Sequence, residues 1–149
     1  MPKVAIIMGS KNDMSIMSKA KDVFDEFGID CEVFVASAHR TPEKVHDIAQ
    51  DISANYDLVI SAAGMAAHLG GVLASLTIKP VIAVPISSSP LKGMDSLLST
   101  VQMPPGIPVA TVAIDGAKNA AILAMQIMAL YHPNIKEKVE SIRTAFKNA

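Results

Sequence analysis

The chain has 149 residues and a mass of 15.7 kDa; 50% of the residues are hydrophobic and only 18% are charged. That length and apolar content fit one domain over residues 1–149 with a real core, and argue against disorder. The 13 basic and 14 acidic residues leave a net charge of −1 with no basic block, which argues against a nucleic-acid surface, and the single cysteine, Cys31, excludes an internal disulfide or a multi-cysteine metal site.

The elements alternate along the chain. Lys3 to Met8 is a buried strand, and it leads into Gly9-Ser10-Lys11-Asn12-Asp13, where Asp13 is placed to cap the next helix. Met17, Ala20, Phe24 and Phe27 share one helical face, and Gly28 sits where a glycine ends a helix. Cys31 to Ala36 is a second strand. It is followed by Ser37-Ala38-His39-Arg40-Thr41-Pro42, with Thr41 as N-cap and Pro42 at the first helical position. Val45, Ile48, Ala49 and Ile52 form the buried face of that helix. Leu58 to Ala62 is the third strand, and the small residues Gly64 to Ala67 and His68 open an apolar helix ending near Leu76. Val81 to Val84 is a fourth strand closed by Pro85, residues 86 to 93 form a loop, and Met94 to Gln102 a short helix. Met103 to Pro108 is too proline-rich for a helix or a central strand. Val109 to Ile114 is the fifth strand, Asp115-Gly116 a turn, Ala117 to Leu130 a long apolar helix, and residues 134 to 146 a charged amphipathic helix after His132-Pro133.

Strands alternating with helices predict an α/β fold, with a parallel sheet covered on both faces. Five strands fit the flavodoxin-like order 2-1-3-4-5, which sets the loops after strands one, two and three side by side at the switch point where such folds bind ligands. No apolar run approaches the roughly 20 residues that span a bilayer, so no membrane is expected. Met1-Pro2-Lys3-Val4 lacks the layout of a signal peptide, and a cytoplasmic location is expected. Nine methionines, no tryptophan and 4% aromatics point to flat, small-residue surfaces, and a chain this apolar is expected to bury some of them in an oligomer.

The three grouped loops carry most of the polar chemistry. Gly9 permits close backbone approach, Ser10 offers a hydroxyl beside open N–H groups, and Asp13 can accept hydrogen bonds from ligand hydroxyls; the same residues also suit an ordinary turn. Arg40, one of only two arginines, stands just before a helix N-terminus, where guanidinium and backbone N–H groups can clamp a phosphate. His39 beside it is the residue type that moves protons near neutral pH. Gly64 to Ala67 would let the backbone approach a flat ligand. His68 fits helix packing better than ligand contact on the residues alone. Ile86 to Gly93, with three serines and Lys92, reads equally as a lid or as a plain polar loop. There is no metal-ligand spacing of the H-x-x-x-H kind, no G-x-S-x-G, no Walker pattern and no G-x-G-x-x-G. The strand ends lack the acidic residues of response regulators, and the loops lack the aromatics that stack on a flavin.

Taken together, the motifs are specific. Met8-Gly9-Ser10-Lys11-x-Asp13, Ser37-Ala38-His39-Arg40-Thr41-Pro42, Ala66-Ala67-His68-Leu69, Gly93-x-Asp95-Ser96-Leu97, Val101-Gln102-Met103-Pro104-x-Gly106-Ile107-Pro108 and Asn119-Ala120-Ala121 run over nearly the whole chain. They resemble the class I N5-carboxyaminoimidazole ribonucleotide mutases of purine synthesis, the PurE family. The resemblance implies a three-layer α/β/α sandwich assembled as a homo-octamer, with a small-molecule aminoimidazole ribonucleotide as substrate and no metal, ATP or biotin. It implies that Ser10 and Arg40 face the phosphate, Asp13 the ribose, and that His39 transfers protons. Gly9, Ser37, Gly64, Ala66 and His68 complete the expected substrate-binding set. Three positions depart from the family pattern: Met65 and Gly70, where glycine and proline are usual, and Pro105, where a charged residue is frequent. A class II carboxylase using free CO2 is the nearest other reading, although Arg40 and the Gly64 to His68 loop favour class I. A non-enzymatic nucleotide-binding module is the more distant one.

Overall fold

A computed structural model describes residues 1–149. β-Branched and apolar runs form the strands β1 (Lys3–Met8), β2 (Asp30–Val35), β3 (Leu58–Gly64), β4 (Val81–Ile86) and β5 (Ala110–Thr111). They pair in parallel in the order β2-β1-β3-β4-β5, as the alternating pattern predicts. Helices α1 (Met14–Phe27), α2 (Pro42–Asn55), α3 (Leu69–Leu76), α4 (Met94–Val101), α5 (Ala117–Ala129) and α6 (Pro133–Lys147) fill the connections.

The period of two in β1 divides the core. Val4, Ile6 and Met8 face one layer with Met17, Ala20 and Phe24 of α1 and the buried alanines of α5. Ala5 and Ile7 face the other with Val45, Ile48, Ala49 and Ile52 of α2 and Leu69 and Leu73 of α3. Gly28 ends α1 in the left-handed conformation, at φ 63°, as its position predicts.

Two expectations need correction. Pro85 lies inside β4 and pairs with Ala63, although it was expected to close the strand. Its carbonyl accepts from Asp115 N–H at 2.8 Å on the β5 side, so its missing N–H costs no ladder bond there: β5 has already ended. The fifth strand keeps only two residues of the expected six, because β5 is an edge strand framed by the proline-rich segment and the Asp115 turn. The last helix packs on its own chain. Ile135 is buried, Val139 and Ile142 lie on the first core layer, and Lys138 Nζ donates to the Phe27 carbonyl at 2.5 Å.

Candidate active site

The carboxyl ends of β1, β2 and β3 open into one cavity of about 540 Å³, a size suited to a nucleotide-like ligand. Eight of the nine residues named from sequence line it: Gly9, Ser10, Asp13, Ser37, His39, Arg40, Gly64 and Ala66.

After β1 the chain makes a 3-10 turn over Lys11–Asp13, and the Ser10 side chain accepts from Asn12 N–H at 3.2 Å. The cap therefore comes from Ser10. Asp13 holds the N-cap position of α1, but its side chain makes no capping bond, contrary to expectation. It is only 6% exposed and turns into the cavity wall. Burial pushes its carboxyl above the usual range, the Ser10 backbone opposes this, and the Asp115 charge adds to it. A buried carboxylate at a cavity wall is an acceptor held ready for hydroxyl donors.

The loop after β2 closes on itself. Thr41 Oγ1 accepts from Ser37 N–H at 2.9 Å and donates to the Ser37 carbonyl at 3.1 Å, while Arg40 N–H reaches Ser37 Oγ at 3.2 Å. Thr41 therefore serves the loop and leaves α2 uncapped, again contrary to expectation. The first-turn N–H groups of α2 are left open to an anion beside Arg40. The Arg40 guanidinium donates to the Gly9 carbonyl at 3.2 Å, which ties this loop to the first one. His39 is exposed at the cavity rim and free to meet a ligand.

The third loop supplies a wall of small residues, with Ala63 and Ala67 joining those expected. Met65 sits in it with φ 57°, a conformation that favours glycine. Of the three departures from the family pattern, only Met65 touches the cavity. Gly70 is buried in the first turn of α3, where a Cβ would crowd Ser61 Oγ at 2.8 Å, and Pro105 is exposed in the coil before β5.

His68 is the exception among the nine. It stands one residue before α3, not inside its first turn, and it does not line the cavity. Its Nδ1 lies 2.7 Å from the Ser99 carbonyl, and its ring packs on Gly71, where any Cβ would overlap it. Its ring faces a separate depression beside Met103, Pro104 and Ile107. It ties the third loop to α4, the packing role that its residue type favours.

Sequence reasoning missed Ser88 as a cavity residue, although it singled out its segment as polar. That segment is fixed at both ends. Ser96, fully buried, donates to the Ala63 carbonyl at 2.6 Å and accepts from Ile86 N–H at 3.3 Å. Ser89 Oγ donates to Asp95 at 2.8 Å. Such anchoring belongs to a wall more than to a lid. No three His, Cys, Asp or Glu side chains converge to hold a metal ion, and no helix is long and apolar enough to cross a membrane.

The likeness to known proteins is extensive. The family model described as AIR carboxylase matches residues 3–149. The N5-carboxyaminoimidazole ribonucleotide mutase of Pyrococcus abyssi is 56% identical over 148 residues, covering 99% of this chain and 85% of that protein. The mutase of the same name from Thermotoga maritima is 49% identical over 148 residues, covering 99% and 86%. The crystal structure of Treponema denticola PurE superposes with a TM-score of 0.91 at 33% identity, covering 99% of this chain and 93% of that one. Sequence and fold agree over nearly the full length, and the chain belongs to the AIR carboxylase family.

Proposed function

We propose that this chain is an isomerase that converts N5-carboxyaminoimidazole ribonucleotide to 4-carboxy-5-aminoimidazole ribonucleotide in purine biosynthesis. The observation that carries the reading is a single cavity holding a proton carrier, a phosphate-type clamp, a buried hydroxyl acceptor and a wall of small residues, in a chain about half identical to mutases.

Arg40, the open N-terminus of α2 and the Ser10 hydroxyl take the phosphate; Asp13 takes the ribose hydroxyls. His39 donates a proton to the exocyclic nitrogen as its bond to the carboxylate breaks and CO2 leaves. The CO2 stays against the Ala62 to Ala67 wall, where the absence of charged groups suits a neutral, linear molecule. The ring carbon attacks it with its own electron pair, and His39 takes up the displaced ring proton. One histidine acts first as acid and then as base, and holding CO2 beside the carbon is a proximity effect. No cofactor enters the scheme.

The single chain leaves Leu91, Met94, Leu98 and Val101 exposed around α4, each at least 44% accessible. That apolar stripe supports the homo-octamer implied by the family resemblance. A monomer by light scattering at micromolar concentration would overturn the assembly. A biosynthetic enzyme of this kind belongs in the cytoplasm.

The deciding assay presents two substrates in parallel: the N-carboxylated ribotide, and the uncarboxylated ribotide with bicarbonate. Fast conversion of the first alone is expected. Efficient use of the second at modest bicarbonate would move the chain to the direct carboxylases.

A further inference from the structure

Three residues other than glycine adopt left-handed backbone: Met65 at φ 57°, Lys92 at φ 53° and Asp115 at φ 58°. Left-handed backbone is disfavoured for a residue with a Cβ, less so for aspartate, and persists where the surroundings hold it. Met65 lies in the cavity wall, Lys92 in the loop after β4, and Asp115 in the turn after β5. Asp115 is the one whose side chain is fully engaged. One carboxylate oxygen accepts from Ser87 N–H at 2.9 Å, and the other accepts from the Ser87 hydroxyl. Its own N–H donates to the Pro85 carbonyl at 2.8 Å. Asp115 thus grips β4 and the residue after it across 28 positions of sequence.

The next residue is Ser88, whose hydroxyl lines the cavity and packs so closely on Gly64 that a Cβ there would overlap it. Gly64 is in the wall against which CO2 is held in the proposed reaction. The Asp115 charge also acts on the Asp13 carboxyl in the cavity wall and raises it further. A turn that only reversed the chain would not need a strained aspartate, since glycine takes the same conformation at no steric cost.

We propose that Asp115 is a positioning residue for the reaction: by gripping Ser87 it holds Ser88 against Gly64 and closes the CO2-retaining side of the cavity. This rests on the mutase reading. Loosening the grip leaves His39 and Arg40 in place, so the bond to nitrogen still breaks and the nitrogen still receives its proton. The CO2 then escapes before the ring carbon attacks, and the uncarboxylated ribotide accumulates in place of product.

The test measures how consumed N-carboxylated ribotide divides between 4-carboxylated product and uncarboxylated ribotide, corrected for spontaneous loss without enzyme. Asp115→Gly removes the carboxylate with its two bonds to Ser87 but also relieves left-handed strain, so the two effects oppose and melting temperature is expected to move by only a few degrees. Uncarboxylated ribotide per product is expected to increase roughly tenfold or more, the scale that an ångström-level misplacement costs. Asp115→Asn, which keeps one acceptor and tolerates left-handed backbone, is expected to fall between. Ser87→Ala, with no backbone effect, is expected to leak in the same direction and provides the test should the glycine variant misfold. An unchanged division in a folded variant, or a turnover that falls with no leakage, overturns the proposal. A wild-type chain that forms no product from the N-carboxylated ribotide overturns the mutase reading itself, and the positioning role falls with it.

Discussion

The loops after β2 and β4 reach the same cavity from either side of β1 and β3, yet they are held in different ways. The first, residues 37–41, is tied mainly to itself, through Thr41, Ser37 and the Arg40 amide, with one side-chain bond outward from Arg40 to the Gly9 carbonyl. Its reactive side chains, His39 and Arg40, are exposed. The second, residues 87–93, is bolted to distant parts of the chain by Asp115 on one side, while Ser96 pins the strand end that leads into it. Its contribution to the cavity is one hydroxyl, that of Ser88. Groups that must meet a ligand sit on a locally closed loop, and a wall that must stay put is anchored through the tertiary structure. Local bonds suffice to shape a short loop, but they cannot fix its distance from another strand.

Substitutions in the two loops should therefore fail differently. The largest effect is expected for His39→Asn: turnover falls by about 10²–10⁴-fold, the usual contribution of a positioned acid–base group, while the variant stays folded and still binds the ribotide. Full turnover would remove His39 from the mechanism. Arg40→Ala should raise KM by roughly 10–100-fold with kcat little changed, because a phosphate contact worth about 1.5–3 kcal/mol is present before and during reaction. A fall in kcat at constant KM would contradict that role. At Ser96, which pins the strand end before the anchored loop, the loss appears in stability. Ser96→Ala strands the buried Ala63 carbonyl and should cost about 1–3 kcal/mol, several degrees of Tm by calorimetry.

Asp13 sharpens the comparison from the opposite direction. Burial raises its carboxyl, so the folded state holds the Asp13 proton more tightly than the unfolded chain does. The stability contributed by that proton is present in acid, below the unfolded-state value, and is lost as pH rises through the raised folded value. Asp13→Asn removes the cost of ionising a buried group. It should stabilise the fold by about 1 kcal/mol at neutral pH, with the gain shrinking to nothing in acid, while ribotide affinity falls. Equal melting curves at every pH would show that Asp13 carries no such penalty. The smallest effect is expected for Met65→Gly, which should gain up to about 1 kcal/mol by relieving left-handed strain; a loss of stability would mean that the Met65 side chain packs usefully in the chain.

Much of the site was legible because its residues are adjacent in sequence and its loops follow strands. Ser10, His39 and Arg40 are local features, and the strand order then brings their loops together. Two side chains at capping positions do not cap. Thr41 bonds back to Ser37 four residues earlier and Asp13 lines the cavity, while His68 reaches the Ser99 carbonyl across 31 residues, a partner that no local pattern names. Pro85 was read as a terminator because a proline usually ends a strand, and only the early end of β5 shows why it is tolerated.

The strands and helices, their alternation, the two-sided core and the chemistry carried on each loop are all readable along the chain. These follow from residue periodicity and residue type, which act over a few positions. The assembled fold settled how Asp115 grips Ser87 and how His68 reaches the Ser99 carbonyl. Those outcomes depend on groups brought together from distant positions, and a hydrogen bond between them exists only once the sheet has set their separation.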